Sequence, residues 1–252
     1  MLETDLQVHR TVDELHAKVA LSLVRKITEL SQQRSRIHLG IASDISSTLL
    51  HKIADIMHHH PDLVDQWSPV HIWMADERYV DHDHVDRADT HIDEALASRF
   101  PIVQLHRPPS PANSKNLQAA ARQYEEEMVA VYSVHTLLDP RSIALDLSLL
   151  GIGQDGHFAS LFPSHNTLDA TGLYVAEPHS PKPPAQRISM TIPVLRRSRA
   201  SWFVVAGKEK ATVFAQALQG ANFREVPAGA MNQVGTQWWV DKSAASRIDR
   251  IF

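Results

Sequence analysis

The 252-residue sequence contains no cysteine, and this absence excludes several kinds of chemistry. Without a thiol the chain cannot form a disulfide, a thiolate nucleophile, an iron–sulfur cluster or a zinc site built on cysteine. It also has no apolar run that approaches the ~20 residues of a membrane-spanning helix. Residues 1–5 are acidic and lack the charged and then apolar segments of a signal peptide. We therefore expect a cytoplasmic protein that does not enter a membrane.

An excess of positive charge is missing as well. Lysine and arginine number 25 against 29 aspartate and glutamate residues, which gives a formal net charge of −4. Because non-specific binding of nucleic acid requires a basic surface, we expect no nucleic-acid partner. The composition is 43% hydrophobic, as in globular proteins, and neither repeats nor a domain linker interrupt it. We expect one domain that covers residues 1–252.

Helical and strand patterns alternate along the chain. Thr11 and Glu14 have the spacing of a capping box, and apolar residues at positions 15, 19, 23, 27 and 30 give the following helix one apolar face. Further helices are predicted over residues 46–59, 88–99, 116–134 and 209–218. Strands are predicted over residues 37–42, 70–75, 102–105, 145–150, 174–176, 187–192, 201–206 and 237–240. This alternation predicts an α/β fold with a mostly parallel sheet and helices on both of its faces.

Three polar turns follow predicted strands: Ser43-Asp44, Asp76-Glu77-Arg78, and the glycine-rich residues 151–157. Ligands of an open parallel sheet bind just beyond the carboxyl ends of its strands, so these turns are the candidate site. The charged triplet could be a solvated surface cluster without a functional role. Alternatively, Arg78 could bind a phosphate or carboxylate through two parallel hydrogen bonds. The proline-rich segment 178–184 is a candidate loop over the same site.

The glycines at positions 151, 153 and 156 have the spacing of a dinucleotide-binding fingerprint. That motif needs a full helix after the third glycine, and Pro163 would end this helix after about two turns, so we reject a dinucleotide. What remains is a tight turn that presents Asp155 and His157. Histidine titrates near neutral pH and suits acid–base chemistry. The other histidine clusters, residues 58–60 and 82–84, do not make a metal site.

Several segments resemble one known family. Residues 149–163, Leu-Leu-Gly-Ile-Gly-Gln-Asp-Gly-His-Phe-Ala-Ser-Leu-Phe-Pro, closely resemble the signature segment of the 6-phosphogluconolactonases. Residues 73–80, 187–191, 207–211, 227–228 and 239–241 resemble further segments of that family in the same order. The related glucosamine-6-phosphate deaminases carry Asn-Gly-His and Asp-Glu-Tyr where this chain has Asp-Gly-His and Asp-Glu-Arg. The resemblance therefore favours a lactonase.

The resemblance implies a Rossmann-like fold and hydrolysis of 6-phospho-D-glucono-1,5-lactone to 6-phosphogluconate, a step of the oxidative pentose phosphate pathway. It implies a monomer whose ligand is a phosphorylated sugar lactone, without metal or cofactor. His157 would be the general base and Asp155 would orient its imidazole. Phosphate, sugar and oxyanion contacts would come from Arg78, Arg187 and Lys210, and the substrate site would also include Ser43, Asp76, Gly153 and Gly156.

Two segments depart from the family pattern. Where members carry Gly-Gly-Ser-Thr-Pro as a phosphate cradle, residues 41–45 read Ile-Ala-Ser-Asp-Ile, and Asp44 brings a negative charge towards the phosphate. A family Ser-Asn pair is replaced by Arg87-Ala88, and we expect Arg87 to restore the lost phosphate contacts. Two alternatives stay open: a hydrolase for a different sugar lactone, or a catalytically silent sugar-phosphate-binding or regulatory protein. The joint presence of His157 and its predicted partners counts against the silent alternative.

Overall fold

A seven-stranded parallel sheet forms the centre of the protein. The structure, a computed structural model, describes residues 5–133 and 139–248. The strand order in the large sheet is β1-β10-β9-β6-β2-β3-β5, and every neighbouring pair is parallel. These strands are Asp5–His9 (β1), Ile37–Ile41 (β2), Val70–Met74 (β3), Val103–His106 (β5), Leu147–Leu150 (β6), Ser201–Val205 (β9) and Thr236–Asp241 (β10). The prediction of a mostly parallel sheet is confirmed.

Helices flank this sheet. They are Val12–Ser31 (α1), Ser47–His59 (α2), Pro61–Val64 (α3), Ala88–Ile92 (α4), Leu117–Tyr132 (α5), Ile192–Arg196 (α6) and Ala211–Leu218 (α7). Thr11 caps α1 as predicted, because its hydroxyl accepts the backbone N–H of Glu14 at 3.1 Å. Position 134, the predicted end of α5, lies outside the described residues. Within residues 5–133 and 139–248, none of the helices has the length and apolar character needed to span a membrane.

A second, antiparallel sheet contains three short strands that the sequence did not separate from the large one. Asp76–Arg78 (β4), Tyr174–Glu177 (β7) and Arg187–Met190 (β8) pair in the order β4-β8-β7. Only one residue separates β3 from β4, and the chain changes partner sheet there. The edge strand β1 was not predicted at all, since most of its residues are exposed and its apolar content is low.

The glycine-rich segment is a loop rather than the start of a short helix. No helix follows Gly156 before Pro163; a single bridge joins Phe158 and Leu161 instead. The expected two-turn helix is therefore wrong. The φ angles of Gly156 and Ala159 are +84° and +48°, in the left-handed region. A right-handed helix cannot continue through these two residues.

The central strands bring the predicted polar turns to one edge of the sheet. Every residue of β2, β3 and β6 is buried, as expected for strands covered on both faces. Just past the strand ends, the N–H of Ala42 donates to Leu149 at 3.0 Å and the N–H of Ala75 donates to Ile41 at 2.8 Å. The segments that follow these three strands are therefore neighbours, although the predicted turn at Asp76-Glu77-Arg78 is strand β4.

Candidate active site

A cavity of about 250 Å³ opens at this edge of the sheet. Its walls come from the turns after β2, β3 and β6, the proline-rich loop before β8 and the turn after β9. Seven of the ten predicted site residues line it: Ser43, Asp76, Arg78, Gly153, His157, Arg187 and Lys210. The two sheets thus bring together residues that are far apart in the sequence.

His157 lines the cavity, and Asp155, which lies behind it outside the lining, forms a hydrogen-bonded pair with it. The Nδ1 atom of His157 contacts Oδ1 of Asp155, and the backbone N–H of His157 donates to the same oxygen at 3.3 Å. Desolvation alone would raise the pKa of Asp155, but the hydrogen bond and charge of His157 lower this pKa to about 2. Since an ionised carboxylate only accepts hydrogen bonds, Nδ1 of His157 is the protonated nitrogen of its neutral tautomer, in which the lone pair is on Nε2.

Two glycines make room for this arrangement. A Cβ atom on Gly153 would lie 2.1 Å from Nδ1 of His157, so any side chain there would displace the imidazole. Gly156 adopts a φ of +84°, and its N–H donates to the carbonyl of Gly153 at 3.0 Å to close the turn. Both predicted glycines therefore shape the turn that carries the histidine.

Asp76 ties three segments of the site together. Its carboxylate is buried and accepts the N–H and the hydroxyl of Ser43 at 2.9 and 2.8 Å and the hydroxyl of Ser160 at 2.7 Å. The N–H of Ser160 in turn donates to the hydroxyl of Ser189 on β8 at 3.2 Å. Although Asp76 lines the cavity, both carboxylate oxygens are engaged, which makes it a positioning residue for the surrounding turns.

Four cationic side chains line the cavity: Arg78, Lys182, Arg187 and Lys210. The guanidinium of Arg187 donates to the carbonyls of Pro184 at 2.8 Å and of Lys182 at 3.2 Å, and thereby fastens the proline-rich loop over the site. Burial lowers the pKa of Arg187, the charge of Asp76 opposes this, and the side chain remains protonated at neutral pH. In the part of the chain that the structure describes, no three His, Asp or Glu side chains meet in a way that could hold a metal ion.

Lys182 was missed by the sequence predictions. The proline-rich loop was recognised as a possible cover of the site, but nothing in its local pattern shows which of its residues reaches the cavity. Lys182 does so because Arg187 holds the carbonyls around it. Lys210 is placed by a second long-range contact, since the carboxylate of Asp241 accepts the N–H of Gly207 at 3.0 Å and fixes the turn before Lys210.

Arg87 does not belong to the cavity, and the expectation that it restores phosphate contacts is wrong. Its side chain is 1% exposed and its Nε atom donates to both carboxylate oxygens of Asp89 at 3.2 Å. It also donates to the carbonyls of Val80 at 3.2 Å and Pro108 at 2.8 Å. The reason is the fully buried carboxylate of Asp89, which requires a nearby counter-charge. The neighbouring Glu77 is buried with this pair rather than in the cavity; burial and Asp89 raise its pKa to about 7 against the charge of Arg87.

The parallel α/β fold and a histidine–carboxylate pair among cations place this chain among the proteins that act on small anionic metabolites. Residues 10–239 match the family described as Glucosamine-6-phosphate isomerases/6-phosphogluconolactonase. The chain belongs to this family.

Relatives within the family carry the name of its lactonase branch. A 6-phosphogluconolactonase of Streptomyces coelicolor is 32% identical over 254 residues, which cover 97% of this chain and 95% of that protein. The human 6-phosphogluconolactonase is 31% identical over 251 residues, covering 95% and 92% of the two chains. One from Mycobacterium tuberculosis is 38% identical over 189 residues, covering 73% and 75%.

Solved structures share the fold. The 6-phosphogluconolactonase of Trypanosoma brucei aligns with a TM-score of 0.78 at 24% identity and covers 98% of this chain and 99% of that one. A monomeric glucosamine-6-phosphate deaminase aligns with a TM-score of 0.74 at 19% identity, covering 96% and 99%. Because enzymes of both activities share this backbone, the fold alone does not distinguish them.

Proposed function

We propose that this protein hydrolyses 6-phospho-D-glucono-1,5-lactone to 6-phosphogluconate, a step of the oxidative pentose phosphate pathway. The observation that carries the proposal is His157, which lines a small cavity together with four cationic side chains and is hydrogen-bonded to ionised Asp155. The full-length relatives named 6-phosphogluconolactonase support the same substrate. A phosphorylated lactone is an anion with one electrophilic carbonyl, and the cavity offers both a base and cations for it.

Catalysis begins when Nε2 of His157 removes a proton from a water molecule whose oxygen attacks C1 of the lactone. The carbonyl oxygen becomes an oxyanion in the tetrahedral intermediate, and the cavity's cations stabilise this charge. When the intermediate collapses, the bond between C1 and the ring oxygen breaks and the imidazolium returns the proton to that oxygen. The new carboxylic acid then ionises. Asp155 holds Nδ1 protonated throughout and stabilises the imidazolium; a base placed in this way contributes about 10²–10⁴-fold.

Lactone hydrolysis accounts for the site better than the family's other activity does. The relatives at 31% to 38% identity are named as lactonases, whereas the aligned deaminase is 19% identical. Arg78 stands at the cavity wall in the Asp-Glu-Arg segment that resembles the lactonases. A lactone is a reactive ester, so water and one base suffice, and no covalent nucleophile is needed.

One observation favours a second candidate, a lactonase for an unphosphorylated sugar lactone. Asp44 lines the cavity and places a carboxylate among the cations that would bind a phosphate. A catalytically silent protein is disfavoured, because His157 remains paired with its carboxylate partner and lines the cavity. We further propose that the protein works as a monomer in the cytoplasm and as one domain over residues 1–252; the one-domain proposal is supported by the cavity lining, which draws on segments from Ser43 to Lys210.

The test is hydrolysis of freshly generated 6-phosphogluconolactone after subtraction of the spontaneous rate. Wild type should accelerate the reaction, and His157→Ala should lose at least about 10²-fold in kcat because the base is removed. His58→Ala, in an exposed histidine at the end of α2, is the matched control and should keep full activity. Folded wild-type protein without activity above the spontaneous rate would overturn the proposal.

A further inference from the structure

Asp44 is the one carboxylate that the turn after β2 adds to the cavity. It follows Ser43, whose N–H and hydroxyl are both held by Asp76, so the position of this turn is defined. The carboxylate of Asp44 packs against Gly151: a Cβ atom there would lie 2.0 Å from Oδ2 of Asp44. Gly151 therefore provides the space in which the carboxylate of Asp44 lies against the backbone after β6.

Four cations and two carboxylates line the cavity, and only one of the carboxylates has its oxygens occupied by neighbouring donors. Asp76 is that engaged carboxylate, whereas Asp44, when ionised, cancels one of the three positive charges that would otherwise remain in surplus. Its charge acts on Lys210, His157 and Arg78, the groups that face it across the cavity. Desolvation and the nearby charge of Asp76 raise the pKa of Asp44, while those three groups oppose the rise.

The small size of the cavity makes repulsion between Asp44 and an anionic ligand unavoidable. A compact space of 250 Å³ is about 8 Å across, and we take this length as the separation between Asp44 and a charge bound in the cavity. Two unit charges at ~8 Å repel enough to weaken binding about twofold even at the dielectric constant of water, and more at the effective value of a protein surface. Each further negative charge on the ligand weakens binding by about the same factor again.

We propose that Asp44 sets the charge selectivity of this site: it weakens ligands in proportion to their negative charge, so that the product is disfavoured more than the substrate. This inference rests on the proposed function. Hydrolysis converts an uncharged lactone carbonyl into a carboxylate, so 6-phosphogluconate carries one more negative charge than 6-phosphogluconolactone. Asp44 thereby costs some substrate affinity and limits inhibition by the product.

The experiment compares wild type with Asp44→Asn, which keeps the size of the side chain and removes its charge. Dissociation constants for 6-phosphogluconate and for gluconate are measured by calorimetry at low ionic strength, where screening is weak. KM is measured for 6-phosphogluconolactone and for neutral glucono-1,5-lactone. Asp55→Asn, in an exposed residue of α2 outside the cavity lining, changes the net charge equally and serves as the control.

The expected result is a gain that increases with ligand charge. Asp44→Asn should bind 6-phosphogluconate at least about tenfold more tightly and gluconate only about two- to threefold more tightly. The KM for 6-phosphogluconolactone should fall by about fivefold or more, and the KM for the neutral lactone should stay within twofold. The ratio of the two proteins' affinities for 6-phosphogluconate should approach one as the pH is lowered, because Asp44 is then protonated and uncharged like asparagine.

Equal affinities of the two proteins for 6-phosphogluconate would overturn the inference, as would weaker binding by Asp44→Asn, which would mean that Asp44 binds sugar hydroxyls. An equal gain for the neutral and the phosphorylated lactone would overturn it too, since charge would not be the cause. Failure of wild type to hydrolyse either lactone would instead overturn the proposed function. The binding measurements need no turnover and judge Asp44 separately in that case.

Discussion

Acidification should destabilise this protein through histidines that are buried as neutral groups. His38 on β2 and His71 on β3 are directly paired in register, and their ring centroids are 4.8 Å apart. The indole N–H of Trp73 donates to Nδ1 of His38 at 3.2 Å, and an indole nitrogen can only donate, so this Nδ1 is unprotonated. Nδ1 of His71 lies 2.9 Å from Nε2 of His106 on β5. A proton added to Nδ1 of His38 would break the hydrogen bond from Trp73, and a proton on either ring would place a charge in a buried environment.

The direction and size of the effect follow from the pKa values. Burial, assisted by the charges of neighbouring histidines and of Arg36, lowers the pKa of His38 to about 3 and that of His71 to about 4. In the unfolded chain both should titrate near 6.5, so below that pH the unfolded state binds protons that the folded state does not. Stability is therefore complete above about pH 6.5 and is lost as the pH falls. At pH 5.0 each histidine should have removed about 2 kcal/mol from the free energy of unfolding, a value that holds for any folded pKa well below 5.

The assay is urea unfolding of wild type and His71→Gln at pH 7.5 and 5.0. The loss of unfolding free energy between the two pH values should be about 2 kcal/mol smaller in His71→Gln. The reason is that this variant lacks one of the two histidines that bind a proton at pH 5.0 only in the unfolded state. Each protein is compared with itself at the two pH values, so a change in stability that the substitution causes equally at both pH values cancels. His58→Gln, in an exposed histidine, should behave like wild type. If His71→Gln and wild type lose the same free energy on acidification, His71 is not held neutral and the reasoning is refuted.

Three further substitutions test the site and its surroundings. Gly153→Ala should lower kcat about as much as loss of His157, since the added methyl overlaps the imidazole; an unchanged kcat with a native circular dichroism spectrum would contradict this. Asp155→Asn should lower kcat by about 10²-fold with a small change in KM, because an amide N–H would donate to Nδ1 and shift the proton to Nε2; steady-state kinetics decide, and a change confined to KM would oppose it. Arg87→Ala should cost about 3 kcal/mol in urea unfolding, because the buried carboxylate of Asp89 loses its hydrogen-bonded cation and keeps only Arg107 at 3.8 Å; a raised KM at unchanged stability would instead favour a role of Arg87 in phosphate binding.

Much of the main sheet could be predicted because its signals are local. The cap at Thr11, the stop before Pro61 and the apolar run ending at Leu150 each depend on residues within one helical turn or one strand. The pair of Asp155 and His157 is local as well, being two residues apart in a glycine turn. The pair could therefore be predicted from this one segment of the sequence.

The small antiparallel sheet could not be predicted in the same way. Strand β4 lies about a hundred residues before β7 and β8, and each of the three strands alone has the pattern of a short strand of the main sheet. Strand pairing over such distances is decided by which surfaces remain to be covered once the parallel sheet has formed. This choice also determines the site, since β4 carries Arg78 and β8 carries Arg187.

The sequence by itself determined the chemistry of this protein: the base, its carboxylate partner and the supply of cations at strand ends. Only the tertiary structure decided which cations reach the cavity. Arg87 and Lys182 both lie in loops near the predicted site, yet the buried carboxylate of Asp89 holds Arg87 away from the cavity, whereas Arg187 draws the backbone around Lys182 towards it. A long charged side chain is directed by the partner that compensates its burial, and that partner is a matter of three-dimensional contact rather than of sequence spacing.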